Sequence, residues 1–427
     1  MALYQEWAAQ IKSYNRNIRL TFIANILTQV GLGIFMVIYN FYIRELGYNE
    51  LVNGKVIAMT SLATAIILIP AGILSDRAGR KKLMLYGAVS TGLILFTRSI
   101  VESQSLLILF AFGTGLASAF IQVSIIPWLA ENSKPEQRVH LFSIHFAAMT
   151  AANVIGSLIG GIFTDLFSMV IPELESIRYT LIIGAILFLS ALIPIMRMNE
   201  HRPTRVSPGD MKEKPKRISN ISSYKIILLF AVAQLMIGFG AGLVIPYLNL
   251  YFADRFMASN SLIGLVISLG QAATAVAMII GPMVVRRLGE VKAVVVLQLL
   301  SLPFLLLTAY TEHFWLAALG FLFRQALMNA GNPIQMSLMM SKVDDSMKGL
   351  ANSVNQMVFN LGWAIMGPVS TGIVLKYGSY WGYATVFSIT AGLYLVGSVY
   401  FFIVFKTMGQ AKSVKVNNKN SVATRFL

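Results

Sequence analysis

The chain has 427 residues, 56% of them hydrophobic and only 12% charged, against the roughly one quarter charged that soluble domains carry. Apolar runs of about 18 or more residues recur along its whole length, which excludes a soluble globule and implies a polytopic helical membrane protein. It contains no Cys, which excludes disulfides, thiol nucleophiles and Cys-ligated metal.

The opening MALYQEWAAQIKSYNRNIRL lacks an apolar core and a small-residue cleavage site, and reads as an amphipathic lead-in rather than a signal peptide. Six spans follow at roughly 18–43, 53–75, 82–101, 104–130, 138–165 and 177–197. The stretch from Arg197 to Lys225 holds three prolines and no apolar stripe, and reads as a flexible linker. Six more spans are expected at roughly 224–252, 261–285, 291–311, 313–340, 348–375 and 381–405. The expectation is an all-α membrane protein of twelve transmembrane helices. An N-terminal six-helix bundle spans 1–196, a linker 197–223, a C-terminal six-helix bundle 224–405 and a tail 406–427.

The net charge of +16 does not indicate nucleic acid, because the cations are sorted by loop. Of the 34 Lys and Arg, only Arg44, Lys55, Arg98, Arg178, Arg255 and Lys376 fall in or near the segments on the side away from the N-terminus, and Arg324 alone falls deep within a span. This positive-inside bias predicts both termini in the cytoplasm, with anionic lipid headgroups as neighbours of the basic loops.

The halves repeat at an offset of 209 to 210. YNFYIREL at Tyr39 stands over LNLYFADR at Leu248, and RVHLFSIH at Arg138 over KGLANSVN at Lys348. Asn25, Gln29, Gly33 and Asn40 in the first span align with Gln234, Gly238, Gly242 and Asn249 in the seventh, on one helical face. Six-span parallel repeats are a common transporter plan, with the binding site between the halves.

Between the second and third spans lies GILSDRAGRKKLM, Gly72 to Met84. This knot resembles the loop 2–3 signature of the major facilitator superfamily, matching it at Gly72, Leu74, Asp76, Arg77, Gly79, Arg80 and Lys81. A weaker repeat, GPMVVRRLGEVKAV, keeps Gly281, Arg286 and Gly289 but has Val285 where the first half has Asp76. The resemblance implies a conformational latch built from Gly72, Asp76, Arg77, Gly79 and Arg80, with Glu131 at the end of the fourth span as the partner of Arg80. In the family's exporters the fifth span often carries Gly-x-x-x-Gly-Pro-x-x-Gly-Gly. Here Gly156, Gly160 and Gly161 remain, Ser157 replaces Pro, and a Gly-Pro stands in the eleventh span instead. Many proton-driven members have an Arg in the fourth span, whereas this chain has Arg324 in the tenth and Thr114 at the repeat position.

Every acid falls in a loop or near a span end, which argues against simple proton antiport through a midplane carboxylate. His145 is the remaining candidate for proton coupling; its plainer reading is a hydrogen bond to a neighbouring helix. Candidate substrate-binding residues are Asn25, Gln29, Gln122, Gln234, Arg324, Asn329, Asn332, Asn355 and Asn360, each of which could equally glue helices together. Arg324, about 16 Å into its span, is expected to face a wet cavity or a partner. No nucleophile, metal or phosphate-loop constellation is visible in the sequence, so no cofactor and no enzymatic activity are expected. The leading expectation is a monomeric alternating-access exporter of small amphipathic compounds in a bacterial cytoplasmic membrane. Its partners would be a small-molecule substrate, lipid and, through His145, protons, but not nucleic acid. The alternatives are uptake or exchange of an organic anion recognised by Arg324, and a non-transporting sensor.

Overall fold

A computed structural model describes residues 14–133, 138–199, 217–343 and 347–423. The described chain is helical throughout. In the first half α1 spans Arg16–Glu45, α2 Glu50–Ala78, α3 Arg80–Arg98, α4 Gln104–Glu131, α5 Arg138–Ser168 and α6 Glu173–Ser190, the last followed by a short turn of helix, Leu192–Met196. In the second half α7 spans Arg217–Val244 and continues through a 3-10 turn, Ile245–Tyr247, into Leu248–Phe256. Then come α8 (Asn260–Leu288), α9 (Glu290–Tyr310) and α10 (Phe314–Lys342). The run Lys348–Ala423 breaks at Gly378, φ 76°, into α11 before it and α12 after it.

Among the described residues nine helices are long and apolar enough to cross a membrane, and the last of them, Gly349–Lys406, contains the Gly378 bend. The chain is therefore a multi-pass membrane protein. Helices α3 and α10 are not among the nine; Arg324 and the run of amides dilute the apolarity of α10. Helix α7 begins at Arg217, inside the segment expected as a linker, most of which lies outside the described residues.

Packing repeats between the halves: α2 and α3 both lie against α4, and α8 and α9 both lie against α10. Across the halves, α2 packs on α11 and α5 on α8. The apolar core divides unevenly. One cluster runs through both halves and includes Ile38, Tyr42, Val244, Tyr251 and Phe252. At the opposite end each half has its own cluster, around Phe22 and Trp128 in the first and around Phe230 and Phe405 in the second.

Glycines set how closely helices meet. At Gly156 an added Cβ would strike the backbone carbonyl of Val30, so α5 and α1 lie backbone to backbone within the first half. That wall cannot move aside as a flexible side chain would. Gly156→Val is expected to destabilise the protein by about 1–3 kcal/mol, read as a lower melting temperature in detergent, whereas Gly72→Ala, which meets nothing within 4 Å, leaves it unchanged.

Candidate functional site: the interface between the halves

At one end the halves are clasped. Asn40 Nδ2 donates to the carbonyl of Pro246 at 2.7 Å and to Asn249 Oδ1 at 2.9 Å. Asn249 Nδ2 donates in return to the carbonyl of Val37 at 2.7 Å. Val37 and Pro246 are 209 positions apart, as are Asn40 and Asn249, so the repeat is also a reciprocal pair of hydrogen bonds about a pseudo-twofold axis. Both amides are buried, and a buried amide left without partners costs about 1–3 kcal/mol.

Around the clasp, Arg44 bridges Glu50 of its own half at 2.8 Å and Asp254 of the other at 2.8 Å. The Tyr383 hydroxyl donates to Asp254 Oδ2 at 2.9 Å. These charges are part-exposed, so solvent screens them and they orient the ends more than they stabilise them. On the α5–α8 seam the Ser261 N–H donates to Asp165 Oδ2 at 2.8 Å, Ser268 Oγ to the Val154 carbonyl at 3.0 Å, and Gln271 Nε2 to Asn153 Oδ1 at 2.7 Å. The hydrogen bonds described between the halves all lie on this side of Gln271.

The α2–α11 seam displays the asymmetry most directly. An added Cβ on Gly54 would strike Thr371 Oγ1, and one on Gly367 would lie 3.1 Å from the Gly54 carbonyl. Eighteen residues further along α2 is Gly72, and eighteen residues back along α11 is Gly349, each about 27 Å away at 1.5 Å per residue. There neither glycine has an atom within 4 Å of an added Cβ. The helices touch at the clasped end and splay at the other.

The charged knot lies at the splayed end. Gly79, φ 101°, joins α2 to α3, and its repeat Gly289, φ 77°, joins α8 to α9; both turns need the left-handed region that glycine alone enters cheaply. Arg80 Nε lies 2.6 Å from Glu131 Oε1, and Lys81 Nζ donates to the Met196 carbonyl at 3.0 Å. Arg77 is exposed. The Asp76 side chain lies outside the described residues.

The amides separate into groups. Asn25 is buried and donates to His145 Nδ1 at 3.1 Å. His145 is 1% exposed, packed on Phe146 and Phe22, which is the arrangement of an interhelical packing histidine. Gln29 accepts from Asn153 at 3.5 Å, and Gln122 is exposed. Asn329 and Asn360 each donate to a carbonyl four residues earlier in their own helix. Gln234, Asn332 and Asn355, by contrast, line one cavity of about 210 Å³ in the second half, together with Gln356. Sequence reading overlooked Gln335, Met336 and Met339 in the same wall, although with Asn332 they form one face of α10 at helical spacing.

Arg324 does not line that cavity. It is 2% exposed, with Nη2 donating to the Tyr394 hydroxyl at 2.7 Å and Nη1 to Gln325 Oε1 at 2.8 Å. The expected cavity counter-charge is thus a buried strut between α10 and α12. A partner in the protein rather than in the cavity offsets its desolvation. The first half has a counterpart that sequence reading left among the outer loop cations. Arg98 of α3 is 6% exposed, donates to Thr114 Oγ1 at 3.0 Å and lies 4.1 Å from the Tyr39 ring. Thr114 occupies the repeat position of Arg324. Each half therefore places a guanidinium beside this site, from α3 in one and α10 in the other. Tyr394→Phe leaves a buried charged donor unpaired and is expected to cost about 1–3 kcal/mol, measured as a lower melting temperature. Arg324→Gln should lower it similarly without changing preference among substrates of different charge.

The profile of the Major Facilitator Superfamily matches residues 21–237 and again 230–425. The chain is 24% identical over 404 residues to the multidrug resistance protein MdtG of Proteus mirabilis, covering 92% of this chain and 97% of that one. It is 24% identical over 395 residues to an uncharacterized MFS-type transporter of Methanocaldococcus jannaschii, covering 88% and 97%. Among solved structures it superposes on the nucleoside transporter NupG with a TM-score of 0.72 at 16% identity, covering 91% and 99%. It superposes on a bacterial homolog of the human lysosomal transporter Spinster, inward-facing and occupied, with a TM-score of 0.73 at 14% identity, covering 91% and 96%.

Proposed function

Because the chain belongs to the Major Facilitator Superfamily, we propose that it is a secondary transporter of twelve spans that exports small amphipathic compounds by alternating access. The N-terminal and C-terminal bundles are the two moving bodies. The sorting of cations by loop supports a cytoplasmic splayed end and cytoplasmic termini; on this reading the clasped end faces outward and the described state opens inward. The α2–α11 seam carries this reading: close backbone approach at Gly54 and Gly367 gives way to open space beside Gly72 and Gly349. Export rather than uptake is supported by the multidrug resistance relatives. The buried position of Arg324 removes the support for an organic anion held by that residue.

Alternating access needs two arrangements of similar free energy that a ligand can rebalance. Outward opening would break the asparagine clasp and bring the cytoplasmic ends together. Gly72, idle here, then becomes a contact position, and the Arg80–Glu131 pair positions the knot against the other half.

The reading is tested with inverted membrane vesicles and a panel of neutral, cationic and anionic fluorescent compounds. Gradient-driven uptake of at least one, absent from vesicles without the protein, is expected; no uptake of any contradicts transport. Gly54→Leu and Gly72→Leu should each reduce uptake at least about tenfold for opposite reasons. The first prevents closure of the clasped end and the second closure of the splayed end, so accessibility of a cytoplasmic-cavity cysteine falls in Gly54→Leu and rises in Gly72→Leu.

A further inference from the structure

Between the clasp and the α5–α8 seam a run of hydrogen bonds points one way. Arg324 Nη1 of α10 donates to Gln325 Oε1 at 2.8 Å. Gln271 Nε2 of α8 donates to Asn153 Oδ1 of α5 at 2.7 Å, and Asn153 Nδ2 to Gln29 Oε1 of α1 at 3.5 Å. Each amide accepts at its oxygen and donates from its nitrogen, so the chain runs from the second half into the first with one link open. That link lies between Gln325 Nε2, a donor, and Gln271 Oε1, an acceptor. Among the described residues neither atom has a hydrogen-bond partner, and each keeps accessible surface.

Gln271 and Gln325 line one cavity of about 20 Å³. That exceeds the ~10–15 Å³ that one water needs and falls far short of the ~300 Å³ at which drug-sized pockets begin, so it takes a single polar group. Pro246 and Asn249 of the clasp share its wall, and Met36 of α1, itself 42% exposed, supplies the first-half side. Among the described lining residues there is no Asp, Glu, Lys, Arg or His. The flanking bonds strengthen both open atoms, because hydrogen bonds in a chain polarise one another. Arg324 on the Gln325 oxygen makes Gln325 Nε2 a better donor, and Asn153 on the Gln271 nitrogen makes Gln271 Oε1 a better acceptor.

We propose that this cavity is a subsite for one uncharged hydroxyl, which accepts from Gln325 Nε2 and donates to Gln271 Oε1 and so completes the chain across the two halves. Water takes the position without substrate, and the hydroxyl of a neutral alcohol or phenol displaces it while keeping both hydrogen bonds. The proposal rests on the transporter reading and names the substrate class for it. An ether oxygen accepts but has no hydrogen for Gln271. A carboxylate lacks that hydrogen and would be desolvated here without a counter-charge, and an ammonium has no lone pair for Gln325.

A structure of the purified full chain without added substrate, fine enough to show ordered water, should place one oxygen within hydrogen-bond distance of both Gln325 Nε2 and Gln271 Oε1. A direct bond between the two amides, or a dry cavity, would overturn the proposal. Binding of 1-naphthol and 1-methoxynaphthalene, both uncharged at neutral pH, is then measured by saturation-transfer NMR with competition titration. The wild type should bind 1-naphthol at least about tenfold more tightly. Gln271→Met removes the acceptor and Gln325→Met the donor, and each should abolish that preference while the protein stays monodisperse. Asn153→Leu breaks the same seam bond as Gln271→Met but leaves both hydroxyl partners in place, so it should keep the preference. Equal binding of the two compounds by the wild type, binding of neither, or a preference that survives in Gln271→Met would each overturn the assignment. Vesicle uptake separates the two readings. Uptake with no hydroxyl preference sinks the subsite alone. Hydroxyl-selective, Gln271-dependent binding without uptake of any compound sinks transport alone.

Discussion

Asn40 and Asn249 satisfy each other's helices only while the two halves meet. Asn40 reaches the carbonyl of Pro246 in the 3-10 turn Ile245–Tyr247, and Asn249 reaches that of Val37 within the unbroken helix α1. The choice of asparagine over leucine has a physical consequence. An apolar seam exposed by opening would cost free energy in proportion to its area, and the closed state would dominate. An amide bonded when closed is hydrated when open, so the two states stay close in free energy. The continuous apolar core beneath the clasp supplies attraction, and the amides keep it reversible.

Everything at the other end follows from the clasp being one-sided. A rigid helix held at Gly54 transmits a small rotation into a large displacement about 27 Å away, which is why α2 and α11 part at Gly72 and Gly349. The cores follow: joined under the clasp, separate at the knot. The second-half pocket lies on the splayed side, where it shares Phe230, Met339 and Phe401 with the separate core of that half.

Much of this was legible in the sequence, for definable reasons. The knot was readable because its chemistry is local: a positive-φ turn needs glycine, and two charges at adjacent span ends find each other, as Arg80 and Glu131 do. The sequence repeat aligns Asn40 with Asn249, but it does not show that the aligned residues bond each other. Direction within a span was not legible. Lipid is as apolar as the core, so hydrophobic periodicity does not distinguish them: Phe321 is 3% exposed and Phe323 47%, with nothing in their identity to tell them apart. For Arg324 the sequence leaves a wet cavity and a protein partner both open, and the structure supplies the partner; Tyr394 is not legible as that partner because it is 70 positions away. Gln335 is not singled out by the sequence, because one more amide in a polar helix carries no signal until the cavity it lines is seen.

The central claim is that clasped and splayed ends exchange as one event. The absence of native cysteine allows spin labels at introduced pairs: Asn49→Cys with Met257→Cys at the clasped end, and Ala78→Cys with Gly349→Cys at the splayed end. Pulsed dipolar spectroscopy in lipid nanodiscs should give a short first distance and a long second one. Adding Asn40→Ala and Asn249→Ala should lengthen the first and shorten the second in the same molecules' populations. A clasped-end distance that ignores the double substitution, or two ends that lengthen together, would contradict the account.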